Sequence, residues 1–433
     1  MPVRAAKSAM YARTRPVPDV RCLALIEQFN DVRHTTMQLA APLSAEDCCA
    51  QSMEDASPAK WHLAHTTWFF ETFILERAEQ SFRAFDASFR MLFNSYYEGV
   101  GDRPPRGQRG LLTRPSLQEV FAYRENVDER ITALLVNPSR AAEIVDLIEL
   151  GMQHEQQHQE LLLTDVKHLL SLNPTHPAFA PRPVERANDF APLDWIACEG
   201  GLVEIGHAGE GFCFDNETPR HRQFLEPFRI ASRLVTNAEY AAFIADGGYR
   251  NPACWLSEGW SWITANSIQH PLYWRQGEQG WSEFTLHGMQ PLEPCRPAIH
   301  LSYFEVDAYA RWAGARLPTE AEWEWASENN GQAPLRVVQR LHPPAALLET
   351  EKPLLHQLFD AAWQWTSSSY APYPGYRPAP GAIGEYNGKF MVNQYVLRGG
   401  SCVTPRRHCR STYRNFFPTT TRWQFAGIRL ALR

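Results

Sequence analysis

The stretch MQHEQQHQELLLTDVKHLLSL, residues 152–172, decides the fold of the N-terminal part of the chain. Its apolar residues recur every three or four positions, which is typical of a helix with one buried face. His154 and His158 stand four positions apart, so on a helix they share one face about one turn from each other. We predict a helix over about residues 142–172 that carries two imidazoles into a helical bundle.

The same apolar spacing occurs in three earlier stretches, at about residues 20–39, 57–73 and 116–134. Four helices joined mostly by short connections favour an up-down bundle. The connection over about residues 78–115 is too long for such a turn and must be an excursion. Long loops in compact domains are usually functional or disordered.

Two of these stretches begin with recognisable start signals. Ser57 followed by Pro58 predicts an N-cap with proline at the first helical position. Ser116 with Glu119 three residues later predicts a capping box. Both signals support helices in these places.

A proline-rich segment separates the helical part from the rest of the chain. Residues 173–193 contain five prolines, so neither a helix nor a central strand can persist there. Beyond it the pattern changes to short segments such as 202–206 and 224–231, with a few short helices and many glycines and prolines. The sequence therefore predicts a helical bundle at 1–172, a linker at 173–193 and an α+β domain at 194–433.

Composition excludes several classes of protein. The 433 residues carry 42 Lys and Arg against 48 Asp and Glu, a net charge of -6, so there is no basic field for nucleic acid. No apolar run approaches the roughly 18 residues of a membrane span, and the N-terminus does not resemble a secretion signal. Nine cysteines without a CxxC pair fit reduced thiols. We expect a soluble, cytoplasmic protein that acts on small molecules.

Histidines on two different predicted helices suggest a metal centre. His154 and His158 share a helix face, and the segment SPAKWHLAHTTWFFETF at 57–73 adds His62 and His65. Spacing alone does not decide between His62 and His65 as a third ligand, and a hydrogen-bonded polar face is the alternative to any metal. Imidazole suits zinc, iron, copper and nickel, so the ligand type narrows the metal only to a class.

The excursion contains a second group of candidate residues. In FNSYYEGVGDRPPRGQRGLLTRPS, residues 93–116, Tyr96 and Tyr97 are followed by several arginines, Arg103 and Arg106 among them. The plain interpretation is a solvated basic loop. The sharper one is a lid over the bundle, because guanidinium groups bind carboxylates in pairs of hydrogen bonds and a phenol can donate a proton near a metal.

The segments SPAKWHLAHTTWFFETF and HEQQHQE resemble the DinB-type bundle of the ergothioneine-pathway sulfoxide synthases. The distal motifs resemble the formylglycine-generating-enzyme fold that those enzymes carry at their C-terminus, through GGLVEIG, FDNETPRH, ASRLVTNAEYAAFI, ARLPTEAEWEWA, LRGGS and FAGIRLA. The resemblance covers nearly the whole chain. It implies an iron(II) enzyme that uses O2 to join a thiol sulfur to C2 of the imidazole of hercynine, N-alpha-trimethylhistidine, giving a sulfoxide.

The resemblance also implies roles for individual residues. The iron ligands of the family fall on His62, His154 and His158. The catalytic tyrosine of the variant with an FNSYYE loop falls on Tyr96 or Tyr97, and we expect both near the metal.

Substrate contacts are carried over in the same way. Gln157 matches a glutamine that contacts the substrate imidazole, and Asn415 and Phe416 match residues that hold the betaine end of hercynine. Arg103 and Arg106 would bind the carboxylate of the thiol. Because a quaternary ammonium donates no hydrogen bond, aromatic faces should surround it. The aromatic candidates for that wall are Tyr96, Tyr97, Phe416, Phe417 and Trp423.

One departure from the formylglycine-generating enzymes bears on the distal domain. Those enzymes bind copper through two cysteines after their RGGS motif, whereas here Cys409 matches the second and Thr404 stands at the first. A two-thiolate copper site is therefore not expected. We interpret the distal domain as a wall that holds substrate, with the chemistry in the bundle.

Several functions compete for this architecture. The leading one is a sulfoxide synthase that uses hercynine and a small thiol, with cysteine as the first choice. A close relative of the same architecture makes selenoneine by joining selenium from a selenosugar to hercynine. A zinc-dependent thiol transferase is a second enzyme class, since related DinB bundles also use three histidines. A non-catalytic binding protein is the third class, and it leaves the histidines without a role.

Overall fold

The computed structural model describes residues 20–182, 191–209, 211–330, 340–346 and 355–433. The N-terminal helices are α1 Val20–Ala40, α2 Ala45–Cys49, α3 Ala59–Phe70, α4 Glu76–Ala78, α5 Phe89–Leu92, α6 Leu117–Leu135 and α7 Pro138–Leu172. The helices α1, α3, α6 and α7 pack against one another as the four long members of a bundle. The predicted helical bundle is present.

Local start signals explain where these helices begin. The Ser116 hydroxyl accepts a hydrogen bond from the Glu119 N–H, and the Glu119 carboxylate accepts one from Ser116, so the predicted capping box opens α6. The helix α7 begins four residues before the predicted start, behind an Asn137 cap. The start predicted for α3 is wrong by one residue: Pro58 occupies the N-cap, and the Ser57 hydroxyl accepts a hydrogen bond from Arg109 instead of from a helix N–H.

A buried ion network fixes how the helices sit beside one another. Glu155 of α7 is completely buried and accepts hydrogen bonds from Arg33 of α1 at 2.7 Å and from Arg124 of α6 at 2.8 Å. Burial alone would raise the pKa of Glu155, but the two guanidinium groups lower it to about 2. Removing one partner of such a group typically costs about 3–5 kcal/mol. The network therefore holds α7 in one register. His154 is the residue immediately before Glu155 on this helix.

The distal part consists of short strands and helices. Its helices are α8 Asn237–Ala245, α9 Ser257–Ala265, α10 Tyr303–Trp312, α11 Glu320–Asn330 and α12 Glu385–Gly388. Its strands are β1 Trp195–Cys198, β2 Gly201–Ile205, β3 His221–Leu225, β4 Phe228–Ala231, β5 Trp274–Gly277, β6 Gly280–Thr285, β7 Gly288–Pro291, β8 Trp363–Ser369, β9 Gln394–Gly399, β10 Asn415–Pro418, β11 Ala426–Gly427 and β12 Ala431–Leu432. The predicted α+β class is confirmed.

Sheet pairing follows strand order only in part. One sheet has the order β10-β9-β8-β11, and another has the order β1-β4-β12. Strands β2 and β3 form a two-stranded antiparallel sheet, and β5-β6-β7 form a three-stranded antiparallel sheet. The segment predicted as one strand at 224–231 is two strands, β3 and β4, that belong to different sheets. Pro227 lies between them and lacks the N–H that a continuous ladder would need.

Tryptophans fill the core of the distal part. Trp323, Trp363 and Trp365 are among the largest side chains that are completely buried. Their indole N–H groups are all hydrogen-bonded, to Gln364, to Glu160 and to the Leu301 carbonyl respectively. This pairing is required because an unpaired buried N–H costs about 1–3 kcal/mol. Since Glu160 belongs to α7, one of these bonds also joins the distal part to the bundle.

Residues between the two parts carry no regular element where they are described. The helix α7 ends at Leu172, β1 begins at Trp195, and residues 173–182 contain neither helix nor strand. The predicted linker at 173–193 extends over residues 183–190, which lie outside the described residues, and the three predicted boundaries stay predictions. None of the described helices combines the length and the apolar character needed to cross a membrane.

Candidate functional site

Three buried histidines from two helices meet inside the bundle. His65 of α3 and His154 and His158 of α7 each offer one ring nitrogen, and these nitrogens all lie within 4.8 Å of one another. Packing of α3 against α7 brings them together, and the four-residue spacing of His154 and His158 puts both on the face that α3 covers. We call these three residues the histidine triad.

Hydrogen bonds orient the rings of the histidine triad. The Nδ1 atom of His65 lies 2.7 Å from the Phe93 carbonyl oxygen, which can only accept, so His65 donates from Nδ1 and keeps its lone pair on Nε2. That Nε2 lies 3.2 Å from Nε2 of His154. The Nδ1 of His154 is buried without a hydrogen-bond partner among the described residues, and the Nδ1 of His158 lies 2.8 Å from Nδ1 of His62.

Burial keeps all three imidazoles neutral. It lowers the pKa of His154 to about 4, and it lowers the pKa of His65 and of His158 well below 6.5, an effect to which the charge of Arg109 adds. Neutral imidazoles that turn lone pairs towards one another repel unless a cation lies between them. The donor set therefore fits a divalent transition metal, and it does not choose between zinc and iron.

The prediction that His62 is the third ligand does not match this geometry. His62 contacts Asp165 through Nε2 at 3.1 Å and His158 through Nδ1, whereas His65 contacts His154 and His158. The reason is that α3 and α7 run antiparallel, so the earlier residue of α3 falls opposite the later residue of α7. The triad therefore contains His65 where the resemblance assigned His62, and the choice of His65 or His62 as a metal ligand stays a prediction.

Two tryptophans hold His65 in this position. The ring of Trp61 stacks on it with centroids 4.4 Å apart and planes 13° apart, and the ring of Trp68 stacks at 5.5 Å and 17°. Offset stacking of this kind contributes about 0.5–1.5 kcal/mol beyond the buried area. The two indoles restrict rotation of the imidazole, whose Nε2 faces His154 of α7.

The tyrosines of the excursion lie one ring away from His65, because Tyr97 packs on the Trp68 ring that stacks on this histidine. Tyr97 is buried, and its ring packs on Trp68 at 5.6 Å, on Phe73 at 5.1 Å and on Tyr96 at 4.6 Å. The Tyr96 hydroxyl is buried next to Tyr97, and within the described part of the chain no hydrogen bond of good geometry reaches it. Burial raises the pKa of both phenols well above 10, so both keep their protons at neutral pH.

The arginines named from the sequence lie at the surface of the excursion. Arg103 bonds to Ser95 and Glu98, and Arg106 bonds to the Asp55 carbonyl. Both side chains are more than a third exposed. Their contacts are made to the loop and to its neighbours in the bundle, rather than to the histidine triad.

Arg109, which the sequence analysis did not select, is the buried arginine of the excursion. Its guanidinium lies 3.5 Å from the centre of the Trp61 ring and donates to the Ser57 hydroxyl at 2.8 Å. Burial lowers its pKa to about 9, and its charge acts on His65 and His158. A cation this close to the triad suits an anionic substrate group. The sequence offers no signal for it, because Arg103, Arg106 and Arg109 stand in similar contexts.

Gln157 connects the triad to the distal part. Its amide donates to the Tyr413 hydroxyl at 2.5 Å and is also hydrogen-bonded to Tyr386. Since Gln157 precedes His158 on α7, these two tyrosines lie next to the triad. Neither was selected from the sequence, although Tyr413 stands two residues before Asn415.

Aromatic rings from both parts of the chain form a wall beside Gln157. Phe416 stacks on Tyr370 with centroids 4.1 Å apart, and Phe390 lies 5.9 Å from Phe416. Tyr386 lies 5.1 Å and Phe390 5.6 Å from Tyr96 of the excursion. We call Tyr96, Tyr370, Tyr386, Phe390 and Phe416 the aromatic wall.

The remaining predicted residues of the wall differ in their surroundings. Asn415 is half-buried, and its side-chain oxygen accepts a hydrogen bond from the Phe416 N–H at 2.9 Å. Phe417 packs on Trp423 at 6.2 Å, and the Trp423 indole donates to Asp165. Phe416 therefore lies in the aromatic wall, while Phe417 and Trp423 lie on the side of the triad where Asp165 is.

A carboxylate stands behind the aromatic wall. Asp215 accepts hydrogen bonds from Tyr376 at 3.0 Å and from Asn387 at 2.5 Å, and its charge acts on Tyr370. Aromatic faces backed by a negative charge are the usual surroundings of a quaternary ammonium group.

The sequence departure at the RGGS motif has a structural counterpart. The hydroxyl of Thr404, at the position of the first copper cysteine, donates to Glu160 of α7 at 2.6 Å. Cys409 is half-buried, and its thiol donates weakly to backbone oxygens of Phe359 and Pro405. Burial raises the pKa of this thiol, so it stays protonated, as expected for a structural cysteine.

Comparison with known proteins agrees with both halves of the chain. Residues 28–162 match the DinB superfamily, and residues 181–336 match the sulfatase-modifying factor enzyme 1-like domain. Hercynine oxygenase of Mycobacterium tuberculosis is 30% identical over 426 residues, which cover 92% of this chain and 96% of that protein. Formylglycine-generating enzyme of Streptomyces coelicolor is 29% identical over 285 residues, covering 54% of this chain and 86% of that protein.

A fungal relative matches about half of the chain. Ergothioneine biosynthesis protein 1 of Schizosaccharomyces pombe is 28% identical over 235 residues, which cover 51% of this chain and 27% of that protein. The bacterial match instead runs through nearly the full length of both proteins and includes the bundle together with the distal part. On this ground the chain belongs to the hercynine oxygenase family.

Proposed function

We propose that the protein is an iron(II)-dependent enzyme that uses O2 to join the sulfur of a small thiol, cysteine by first choice, to C2 of the imidazole of hercynine. The product is a hercynine sulfoxide of ergothioneine biosynthesis. The observation that carries the proposal is the histidine triad, whose neutral rings meet inside the bundle on the helix that also carries Gln157, the hydrogen-bond partner of Tyr386 in the aromatic wall. Membership of the hercynine oxygenase family supports hercynine as the substrate.

The proposed reaction balances. The C2–H bond of the imidazole and the S–H bond of the thiol break, and a C2–S bond and a sulfur–oxygen bond form. One oxygen atom of O2 becomes the sulfoxide oxygen, and the other leaves as water with the two hydrogens. The thiol sulfur and C2 are oxidised, and O2 is reduced by four electrons, so no further reductant is required.

His65, His154 and His158 would hold the iron. A bound iron(II) supplies activation of O2 and lowers the pKa of a thiol that binds to it. Three neutral ligands leave the full charge on the ion and leave positions open for substrates. The rest of the chemistry falls to side chains around the triad.

The aromatic wall would receive the trimethylammonium group of hercynine. Each favourably placed ring contributes roughly 0.5–2 kcal/mol to binding of such a cation. Gln157 lies between the wall and His158, where its amide, turned by Tyr413, would orient the substrate imidazole. Asn415 stands on the strand of Phe416, at the end of the wall where the betaine carboxylate would lie.

Arg109 would bind the carboxylate of the thiol substrate. It is buried beside the triad, and in the described residues its Nε–H has no hydrogen-bond partner. Arg103 and Arg106 remain candidates at the rim of the excursion. Tyr96 and Tyr97 hold their protons at neutral pH, so either phenol would serve as a proton donor next to the site where O2 is reduced.

The proposal is tested by turnover of the full chain. The protein is purified without O2, loaded with iron(II), and supplied with hercynine, cysteine and air. We expect a sulfoxide by mass spectrometry, with one O2 consumed per product. A parallel reaction under nitrogen and one with His65→Asn should give none.

Other outcomes identify the competing functions. Turnover with zinc in the absence of O2 would indicate a thiol transferase instead. Product with a selenosugar and none with cysteine would indicate the selenium-transferring relative of the same architecture. Turnover of neither donor would leave hercynine without support as the substrate.

A further inference from the structure

His62 lies between one member of the histidine triad and a carboxylate. Its Nδ1 is 2.8 Å from Nδ1 of His158, and its Nε2 is 3.1 Å from Oδ2 of Asp165. All three side chains are buried. His62 and Asp165 belong neither to the histidine triad nor to the aromatic wall, so the proposed function assigns them no role.

The chemistry of these groups decides where each proton lies. The Asp165 carboxylate also accepts hydrogen bonds from the Ser57 N–H at 2.8 Å and from the Trp423 indole N–H at 3.1 Å, so it acts as an acceptor. His62 must then donate from Nε2, which in a neutral imidazole leaves Nδ1 as an acceptor. This Nδ1 accepts from the Nδ1–H of His158. The lone pair of His158 is therefore confined to its Nε2.

We propose that His62, held by Asp165, is a positioning residue that fixes the tautomer and ring orientation of His158 and thereby strengthens metal binding by the triad. Partners of this kind, one bond beyond the ligand, orient ligand imidazoles and increase their basicity. The proposal rests on the metal centre of the proposed function, and it is independent of hercynine and of the thiol.

The other two triad histidines differ in this respect. His65 is anchored by the Phe93 backbone carbonyl, and the Nδ1 of His154 has no hydrogen-bond partner in the described part of the chain. His158 alone among the three is anchored by another side chain, so its anchor can be removed by substitution without altering a ligand. The Trp423 bond to Asp165 extends this anchor into the distal part.

The test is anaerobic titration of the full-length apoprotein with Co(II), a spectroscopic substitute for iron(II), followed by its visible absorption. His62→Phe removes both hydrogen bonds and keeps a planar ring. His62→Gln retains a donor and an acceptor. His168→Phe is the matched control, because His168 lies on α7, bonds to Ser52 at 2.7 Å and contacts no triad residue.

We expect His62→Phe to weaken Co(II) binding by about 10- to 100-fold and to change the Co(II) spectrum. His62→Gln should restore most of the affinity, and His168→Phe should match the wild type in both. Thermal unfolding of the apoproteins separates a general loss of folding from a loss at the metal. A His62→Phe protein with wild-type affinity and spectrum would overturn the proposal.

Failure of the metal centre and failure of the positioning role are distinguishable. If the wild type binds neither Co(II) nor iron(II), the metal centre itself is wrong and the positioning role falls with it. If the wild type binds metal and the His62 variants bind equally, only the positioning role is wrong. Should His62→Phe not fold, Asp165→Asn replaces it. The asparagine amide can donate to Nε2 of His62, so the tautomers of His62 and His158 are no longer fixed. We expect about 10-fold weaker binding for that variant, and unchanged binding would overturn the proposal.

Discussion

The Thr404 hydroxyl donates a 2.6 Å hydrogen bond to Glu160 Oε2, which joins the distal part to the helix that carries His154 and His158. The same carboxylate accepts from Trp363 at 2.8 Å and from the Ser401 hydroxyl at 2.7 Å. Burial raises the pKa of Glu160, and the three donors oppose that shift. The Glu160 carboxylate thus accepts hydrogen bonds from three donors of the distal part. Glu160 lies two residues after His158 on α7.

Replacing Glu160 should loosen this junction. Glu160→Ala leaves three buried donors without an acceptor, and we expect the free energy of unfolding to fall by roughly 2–4 kcal/mol. Thr404→Val removes a single donor and should cost about 1 kcal/mol. Urea unfolding of the apoproteins measures both changes. Equal midpoints for Glu160→Ala and the wild type would contradict this account.

Substitution of His65 tests which residue of α3 completes the triad. His65→Asn should weaken iron(II) binding by more than about 100-fold, beyond the range expected for a residue outside the ligand shell. The loss should leave the helices intact, as judged by far-ultraviolet circular dichroism. His34→Asn, at an exposed position of α1, is the control and should bind iron(II) normally. A His65→Asn protein that retains iron would exclude His65 as a ligand.

The excursion tyrosines should affect the products and leave the metal in place. Tyr96→Phe and Tyr97→Phe each remove one proton donor while keeping the ring, so iron(II) binding should be unchanged. We expect the product ratio to move from sulfoxide towards oxidised thiol, as measured by mass spectrometry. Tyr309→Phe, a buried tyrosine of the distal core, is the matched control. An unchanged ratio in both variants would remove the tyrosines from the mechanism.

Arg109 should affect the thiol substrate specifically. Arg109→Met removes a charge-assisted hydrogen bond, and we expect KM for cysteine to rise about 10- to 100-fold. Cysteamine lacks the carboxylate, so its KM should change little. Arg106→Met is the control, because Arg106 is exposed and lies with Arg109 on one short 3-10 helix, Arg106–Leu111. If KM for cysteine rises only in Arg106→Met, Arg106 at the surface of the excursion binds the carboxylate and Arg109 does not.

Lys167 predicts a pH dependence of stability. This lysine of α7 is fully buried, with its Nζ 2.7 Å from His300 Nε2, and burial lowers its pKa from 10.5 to about 8. Between these two values the unfolded chain binds more protons than the folded chain, so the contribution of Lys167 to stability rises with pH through this window.

Lys167→Met removes that contribution. Its stability relative to the wild type should therefore fall by about 2 kcal/mol between pH 7.5 and pH 10. Urea unfolding of both proteins at both pH values measures the difference. Comparing the two proteins cancels the contributions of all other titrating groups, which they share. Parallel curves for the two proteins would show that Lys167 titrates normally.

The bundle could be predicted from the sequence because its signals are local. The capping box at Ser116 and the apolar spacing of residues 152–172 depend only on nearby residues. The start of α3 could not be predicted in this way, because the Ser57 hydroxyl accepts a hydrogen bond from Arg109, which lies 52 residues further along the chain. The break between β3 and β4 does have a local signal, because Pro227 lacks the N–H that a continuous strand would need at this position.

The site was predictable in its residue types and less so in its residue numbers. His62 and His65 lie on adjacent turns of α3, so the choice between them depends on the direction and rotation of α3 against α7. Arg109 differs from Arg103 and Arg106 in its contacts with Trp61 and Ser57, which belong to a distant part of the chain. Tyr386 and Phe390 have no periodic pattern around them, and long-range packing alone brings them to the excursion.

The contact of Glu385 with the excursion has a consequence for engineering. Its two carboxylate oxygens accept hydrogen bonds from the N–H groups of Glu98 and Gly99, at 3.0 and 2.9 Å. The backbone just after Tyr97 is thus tethered to the far end of the polypeptide. In a chimera that joins this bundle to the distal half of a relative, the phenols would be repositioned by the imported half, so exchanging it would alter reactivity as well as substrate preference.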